Sequence, residues 1–369
     1  MHVRQVETKA DLRHFIELPY RLYRGDRSWA PPLRSEQWGQ FNPLRNPMLD
    51  HCEYALFLLV DREPIGRIAA FVDYLAVETW GQPIGLFGSY ECEDHPEGAQ
   101  MLLQTAQTWL LDRDMKRMRG PWSFASQEWG LVVEGFIPPP VIMAPYNPPY
   151  YGRQLADFGL RKAKDLLVYY IDLREGYEFP ARYLTLTDGI QARYGVSVRA
   201  VNMKRLAEEV STIMGVANRS IADNWGYYPV TPRESEALAR DLKQIIDPAA
   251  VLIAEGPDGQ AIGFAIAIPD VNVLLRGLDG RLLPLGWLKL LWGLPRLRQY
   301  RMWALGVAPE YQGKAVDALL YRRLYEALRR REVRMEINYV LEDNVRMNNA
   351  LRNLGARALR RYRVYEMNI

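Results

Sequence analysis

The chain has 369 residues, nearly half apolar and a quarter charged, a size at which one core rarely keeps growing and two domains are expected. Its 47 basic and 44 acidic side chains leave a formal charge of +3, which gives no electrostatic reason to expect nucleic acid as a partner. The opening MHVRQVETKADLRHF has no apolar core of a signal peptide, and no run reaches the roughly 18 apolar residues of a spanning helix. Cys52 and Cys92 fit neither a CxxC pair nor a metal-ligand spacing, so they read as reduced thiols of a cytoplasmic protein that holds no metal.

The first domain is expected over residues 1–174. An amphipathic helix at 9–23 leads through a Pro- and Trp-containing loop to two strands, YALFLLV at 54–60 and GRIAAFV at 66–72, joined by a tight turn. A strand at 84–90, a helix at 97–113, a strand at 117–120 and a closing strand LLVYYID at 166–172 follow. His2, His14, His51 and His95 all lie in this first quarter, so the second half has no histidine base of its own. His51 is next to Cys52, but neighbours on a strand point to opposite faces, so a structural role is expected for both.

The second domain is expected over 175–369. A strand at 196–201 precedes helices at 204–217 and 232–246, the latter opened by a Thr231/Glu234 capping box. Strands at 250–255 and 261–268 flank the turn GPDGQ. An apolar insertion at 271–298 comes before a strand at 301–307, a helix at 313–331, a strand at 333–340, a helix at 344–354 and a final strand at 358–367. Both halves run helical start, hairpin, strand, helix, strand, which points to a tandem repeat of one mixed α/β (α+β) unit.

The stretch ALGVAPEYQGKAVDALLYRRLYEALRRR (304–331) holds the chemistry. A strand ending at Val307, a turn containing Pro309 and a Leu-rich helix aim unpaired N–H groups and a positive dipole end at one point, an anion site suited to a diphosphate. This stretch resembles motif A of the GNAT acyltransferases, whose loop holds the coenzyme A pyrophosphate. The matching positions are Gln312, Gly313, Lys314, Ala315, Val316 and Asp317. Two depart from the pattern: Ala315 replaces a glycine, and Asp317 puts a carboxylate where a small residue is usual. VLEDNVRMNNALRNLGA (340–356) resembles motif B, with Asn344 as helix cap and Gly355 as terminator. The family's general-acid tyrosine falls on Leu351 here, so the resemblance leaves that role to Tyr321, Tyr339 or water.

Aminolysis of a thioester needs a proton acceptor for the amine and a donor for the oxyanion. The backbone at Leu305, Gly306 and Val307 is the expected donor, where the fourth strand of a GNAT sheet parts from the fifth. Glu342, Glu336 and Tyr339 are the catalytic candidates, with Glu342 placed first because it lies next to the Asn344 cap. In the insertion, Leu and Trp alternate with Arg276, Arg281, Lys289, Arg296 and Arg298 against a single acid, Asp279. That composition suits contact with a membrane surface or a long-chain ligand; packing between the domains is the alternative.

The first domain lacks motif A glycines, and ECEDHPEGAQ (91–100) places Glu91, Glu93 and Asp94 where a diphosphate would be repelled. Its aromatic string at 119–151, with Trp122, Trp129, Tyr146, Tyr150 and Tyr151, reads either as a pocket wall for an apolar chain or as a packed loop. That string, with PIGRIAAFVD and LEDN, is similar to a family of tandem GNAT-like bacterial proteins that includes a bacterial ceramide synthase. The resemblance implies two GNAT-like domains, each a mixed, mostly antiparallel sheet flanked by helices. It also implies coenzyme A or acyl-CoA as a substrate, and an amine acceptor of lipid or amphiphilic type at the inner membrane. A soluble small-molecule N-acetyltransferase and a non-catalytic acyl-CoA-binding protein remain alternatives. Use of aminoacyl-tRNA is disfavoured by the near-neutral charge.

Overall fold

A computed structural model describes residues 1–124 and 128–369. The first elements are β1 (His2–Gln5), α1 (Lys9–Leu22), α2 (Arg34–Gln40), β2 (Cys52–Val60), β3 (Pro64–Asp73), α3 (Tyr74–Trp80), β4 (Ile84–Cys92), α4 (Pro96–Leu111) and β5 (Arg117–Gly120). Next come β6 (Leu131–Glu134), α5 (Tyr151–Phe158), β7 (Arg161–Asp172), α6 (Ala181–Tyr194), β8 (Ser197–Ala200), α7 (Leu206–Ser220), α8 (Pro232–Leu242) and β9 (Val251–Glu255). The chain closes with β10 (Ala261–Pro269), α9 (Asn272–Leu275), α10 (Gly286–Gly293), β11 (Gln299–Val307), α11 (Val316–Leu328), β12 (Arg334–Leu341), α12 (Val345–Asn353) and β13 (Arg357–Asn368).

Two compact units result. The first comprises Met1–Leu166, Asn272–Trp287 and Arg360–Ile369, and the second Leu167–Val271 and Leu288–Leu359. A single cut near residue 174 therefore does not describe the division. The strands β7 and β13 are each divided between the two.

In the first unit β1 to β4 form an antiparallel meander, with Arg4↔Leu58, Ala55↔Ala70 and Ala70↔Phe87 in register. β5 then joins β4 in parallel, from Ile84↔Arg117 to Leu86↔Arg119. Helix α4 lies between them in sequence and packs Leu102, Leu103, Ala106 and Leu110 against Ile68, Ala70 and Met118. Those three leucines have no exposure; burying each contributes roughly 1.5–3 kcal/mol. Close packing requires Gly85, where a Cβ would sit 2.4 Å from Leu110.

The second unit repeats the scheme. β8 to β11 run antiparallel, with Val198↔Ala254, Phe264↔Ile253 and Phe264↔Gly306 in register. β12 joins β11 in parallel, and α11 is the intervening helix. Val316, Leu319, Leu320, Leu324 and Leu328 of α11 enter one core with Ala265, Met302 and Ile337. Both units are thus mixed, mostly antiparallel sheets flanked by helices, as the repeat in the sequence predicts.

Local differences have local causes. The helix expected from Gly313 begins at Val316, because Gly313 (φ +79°) and Ala315 (φ +57°) are both left-handed. Helix α6 falls in an interval left unassigned, since its two threonines and a glycine dilute the helical signal. His51 and Cys52 do not point apart. His51 ends the short turn Pro47–Asp50 instead of lying on β2, so strand alternation does not apply. Its Nδ1 lies 3.9 Å from Cys52 Sγ and 2.9 Å from Asp73 Oδ1. Cys52 and Cys92 form no disulfide, and burial pushes the Cys92 thiol up to about 12.

Candidate active site

The site is built on the single parallel pair of the second unit. Pairing of β11 with β12 runs from Gln299↔Arg334 to Met302↔Ile337 and then stops. Trp303–Val307 and Asn338–Leu341 are thereby left apart. On its other edge β11 stays paired with β10, but the register slips between Ile266↔Ala304 and Ala267↔Met302. Trp303 is the extra residue, and such a bulge re-aims local backbone groups. Gly306 permits close approach: a Cβ there would lie 2.4 Å from Ser220 Oγ and 2.6 Å from the Phe264 ring.

The loop after β11 is closed by its own groups. Ala308 N–H donates to Ile262 O (2.8 Å), Tyr311 N–H to Ala308 O (2.9 Å), and the Gln312 side chain to Val307 O (3.2 Å). Lys314 lies over the Tyr311 ring at 4.7 Å and the Tyr194 ring at 5.5 Å. Left-handed Ala315 then turns the chain into α11. The first amides of a helix have no intrahelical acceptor, and Leu319 is the N–H that bonds back to Ala315 O (3.2 Å). Lys314 N–H is spent on Tyr311 O (3.3 Å), so the amides of Gly313 and of 315–318 are the donors presented at the positive end of a helix of 13 residues, and a Cβ on exposed Gly313 would meet nothing within 4 Å. A diphosphate fits this donor set. Asp317, the departure from the family pattern, makes no hydrogen bond or ion pair among the described residues, so it accepts from none of the loop amides.

Asn344 caps α12 through Met347 N–H (3.0 Å). Asn348, which the sequence reading passed over, is 3% exposed and fixes the turn before it. Its amide donates to Leu341 O (3.0 Å) and Asn344 O (2.9 Å), and its oxygen accepts from Tyr169 OH (2.8 Å). Leu351, at the family's tyrosine position, has no exposure. Tyr321 donates to Met347 Sδ at 3.3 Å, and burial, with the Asp317 charge, holds its hydroxyl well above the usual range.

The catalytic candidates are spread along β12. Glu336 has no exposure and stands in register with buried Arg301, whose guanidinium lies 5.2 Å over the Tyr339 ring. Glu342 follows the end of β12, half-buried. The bulge at Trp303 was not legible in the sequence, because a slip in pairing leaves no compositional mark.

The matching place in the first unit is filled. Trp122 N–H donates to Phe87 O (2.8 Å), and a Cβ on Gly88 would lie 1.8 Å from Trp122 O. His95 Nδ1 caps α4 through Gly98 N–H (3.1 Å). Within the aromatic string Trp122 and Tyr151 are core residues, Trp122 stacking on Trp129 at 4.2 Å and Tyr151, 1% exposed, donating to Glu91 (2.8 Å), while Trp129, Tyr146 and Tyr150 are half-buried. Residues 125–127 of the string lie outside the described residues.

A parted parallel pair, a bulge in its first strand and a left-handed loop onto a helix define the GNAT fold, here in tandem. Among solved structures the chain resembles a tandem GNAT protein from the clavulanic acid biosynthesis pathway, with TM-score 0.60 and 14% identity over 100% of this chain and 98% of that one. A GCN5-related N-acetyltransferase from Sphaerobacter thermophilus matches with TM-score 0.54 and 14% identity over 99% and 95%. No family model matches. The chain is 36% identical to the bacterial ceramide synthase of Caulobacter vibrioides, over 98% of this chain and 96% of that protein. It is 34% identical to Protein YghO of Escherichia coli, over 100% and 95%. The chain belongs to this family of tandem GNAT-type acyltransferases.

Proposed function

We propose that the protein transfers a long acyl chain from coenzyme A to the amine of a lipid or other amphiphilic acceptor. The observation that carries the reading is the parted β11–β12 pair leading into the donor loop at 312–317. The amides of Gly313 and of 315–318 would hold the diphosphate, and the pantetheine arm would run back between the strands. At about 3.3 Å per residue, Trp303 lies roughly 13 Å from Val307, so the thioester belongs near the bulge and the phosphates near the loop.

That polarity reorders the catalytic candidates. Glu342 sits at the phosphate end, whereas Glu336 and Tyr339 flank the bulge. In the proposed step the amine nitrogen attacks the thioester carbon, its proton passes to the Glu336 carboxylate, and the C–S bond breaks to release coenzyme A thiolate. Backbone N–H groups at the bulge hold the developing oxyanion, and Arg334, 3.8 Å from the Glu336 carboxylate, supplies the counter-charge. Glu336→Gln is expected to lower kcat by about a hundredfold or more with the acyl-CoA KM within about threefold, while Glu342→Gln changes kcat little. Thiol release from acyl-CoA, followed with an amine present, reads both. A kcat loss confined to Glu342→Gln would reverse the assignment.

A lipid acceptor is supported by the relative named bacterial ceramide synthase and by the insertion, which exposes Leu283, Leu285, Trp287, Leu291 and Trp292. Among the described residues no helix is long and apolar enough to cross a membrane, so contact would be at the inner-membrane surface. Mass spectrometry of compounds that co-purify with the protein reads the acyl group; recovery of only short, soluble acceptors would sink the lipid reading.

A further inference from the structure

The first unit holds a cavity of about 1170 Å³ walled by α1, the loop after it and the turn at 276–279. Each acid on its lining is engaged. Glu17 accepts from Arg34 (2.9 Å), Glu63 pairs with Arg21 (2.7 Å), Asp26 accepts from Tyr146 OH and Ser28 N–H, and Asp279 faces Arg34 at 3.5 Å. Three arginines of the same lining are left over. Arg24, Arg27 and Arg276 make no ion pair or side-chain hydrogen bond among the described residues; Arg24 and Arg27 stand exposed at the rim, and Arg276 is half-buried with its Nε fully buried.

The walls are built rather than incidental. Arg34 N–H donates to Gly280 O (3.0 Å), and a Cβ on Gly280 would lie 2.5 Å from Pro32 O. Trp29, on the lining, is held by Tyr20 and Tyr23 at ring distances of 5.2 and 5.1 Å. A few residues past Arg276 the same segment exposes Leu283 (79%), Leu285 (67%) and Trp287 (48%). Uncompensated guanidinium groups are the side chains best suited to a tetrahedral oxyanion.

We propose that this cavity is a phosphate-type oxyanion site, with Arg24, Arg27 and Arg276 as its ligands and Trp29 at its flank. The exposed Leu and Trp side chains further along the same segment favour phosphate carried on a lipid headgroup. The site is formed by the first unit alone and does not depend on the acyltransferase reading, so either can fail without the other.

The test uses the full chain and three probes: inorganic phosphate, vesicles containing phosphatidylglycerol, and vesicles of neutral phosphatidylcholine. Retention on vesicles and tryptophan fluorescence are the readouts. Phosphatidylglycerol vesicles are expected to bind and neutral vesicles not to, with Arg24→Gln/Arg27→Gln weakening retention about thirtyfold. The control Arg329→Gln/Arg330→Gln removes the same charge from exposed positions on the second unit and should shift retention less than threefold. Arg276→Gln, checked for folding by circular dichroism, should weaken binding likewise. Saturation by inorganic phosphate alone, lost in the double variant, supports the same oxyanion chemistry with a free anion as its source. Equal losses in the double variant and the control, or no binding of any anionic probe, overturn the proposal.

Discussion

At the residue scale, Ala315 carries a local cost. A side chain in the left-handed region costs roughly 1–2 kcal/mol, and glycine avoids it at some entropic expense. Ala315→Gly is therefore expected to stabilise the protein by about 1 kcal/mol in urea unfolding and to leave coenzyme A binding intact. Asp317 is the second departure. Its charge favours the helix terminus by a few tenths of a kcal/mol but opposes an incoming diphosphate. Asp317→Asn should tighten coenzyme A binding about threefold by calorimetry while lowering stability slightly; weaker binding would show that the carboxylate assists the loop. Both departures were legible in the sequence by comparison with the family's loop. That Asp317 accepts from none of the loop amides was not, because side-chain hydrogen bonding depends on the surrounding turn.

At the scale of elements, the turn from β12 into α12 is held by Asn348. Its removal strips Tyr169 OH of its acceptor and takes the second donor from the carbonyls of Leu341 and Asn344, which keep Asn344 N–H and Asn348 N–H, at about 1–3 kcal/mol for the buried hydroxyl. Asn348→Ala is expected to cost about 3 kcal/mol in urea unfolding, whereas Asn349→Ala, exposed on the same helix, should cost under about 0.5 kcal/mol. The strands around the site were legible as apolar runs between turn residues, and motif B's cap was legible as Asn344. Asn348 was passed over because it lies inside a helical pattern, where an asparagine reads as surface.

For the whole molecule, the C-terminal strand matters because it completes the first unit. Asp165, 1% exposed by its side chain, accepts from Arg363 (2.7 and 2.9 Å) and also faces Lys162 and Arg361. Burial pushes its carboxyl up, but the Arg363 hydrogen bonds and charge, with Lys162, outweigh burial and hold it below the usual carboxylate range. A lowered folded-state pKa contributes stability above the unfolded value of 3.8, and that contribution is lost as pH falls through the folded value. Asp165→Asn removes the acceptor of Arg363, while Arg361 keeps Glu134 (3.4 Å) and Lys162 stays part-exposed; it should cost about 1–3 kcal/mol near pH 7. The gap between wild type and variant should stay level down to about pH 5 and close below about pH 4; a gap that persists at pH 2 would assign the effect to packing.

Periodicity and turn chemistry are local properties, so the sequence alone determined the repeated order of elements, the α/β class, the turn into a helix at 312–317 and the apolar character of the insertion. Where β11 leaves β12, which residue forms the bulge, how β13 reaches the first unit and which arginines remain uncompensated depend on pairing between distant segments. Those were decided only in the tertiary structure, because register and charge balance are settled by neighbours that the linear chain does not place together.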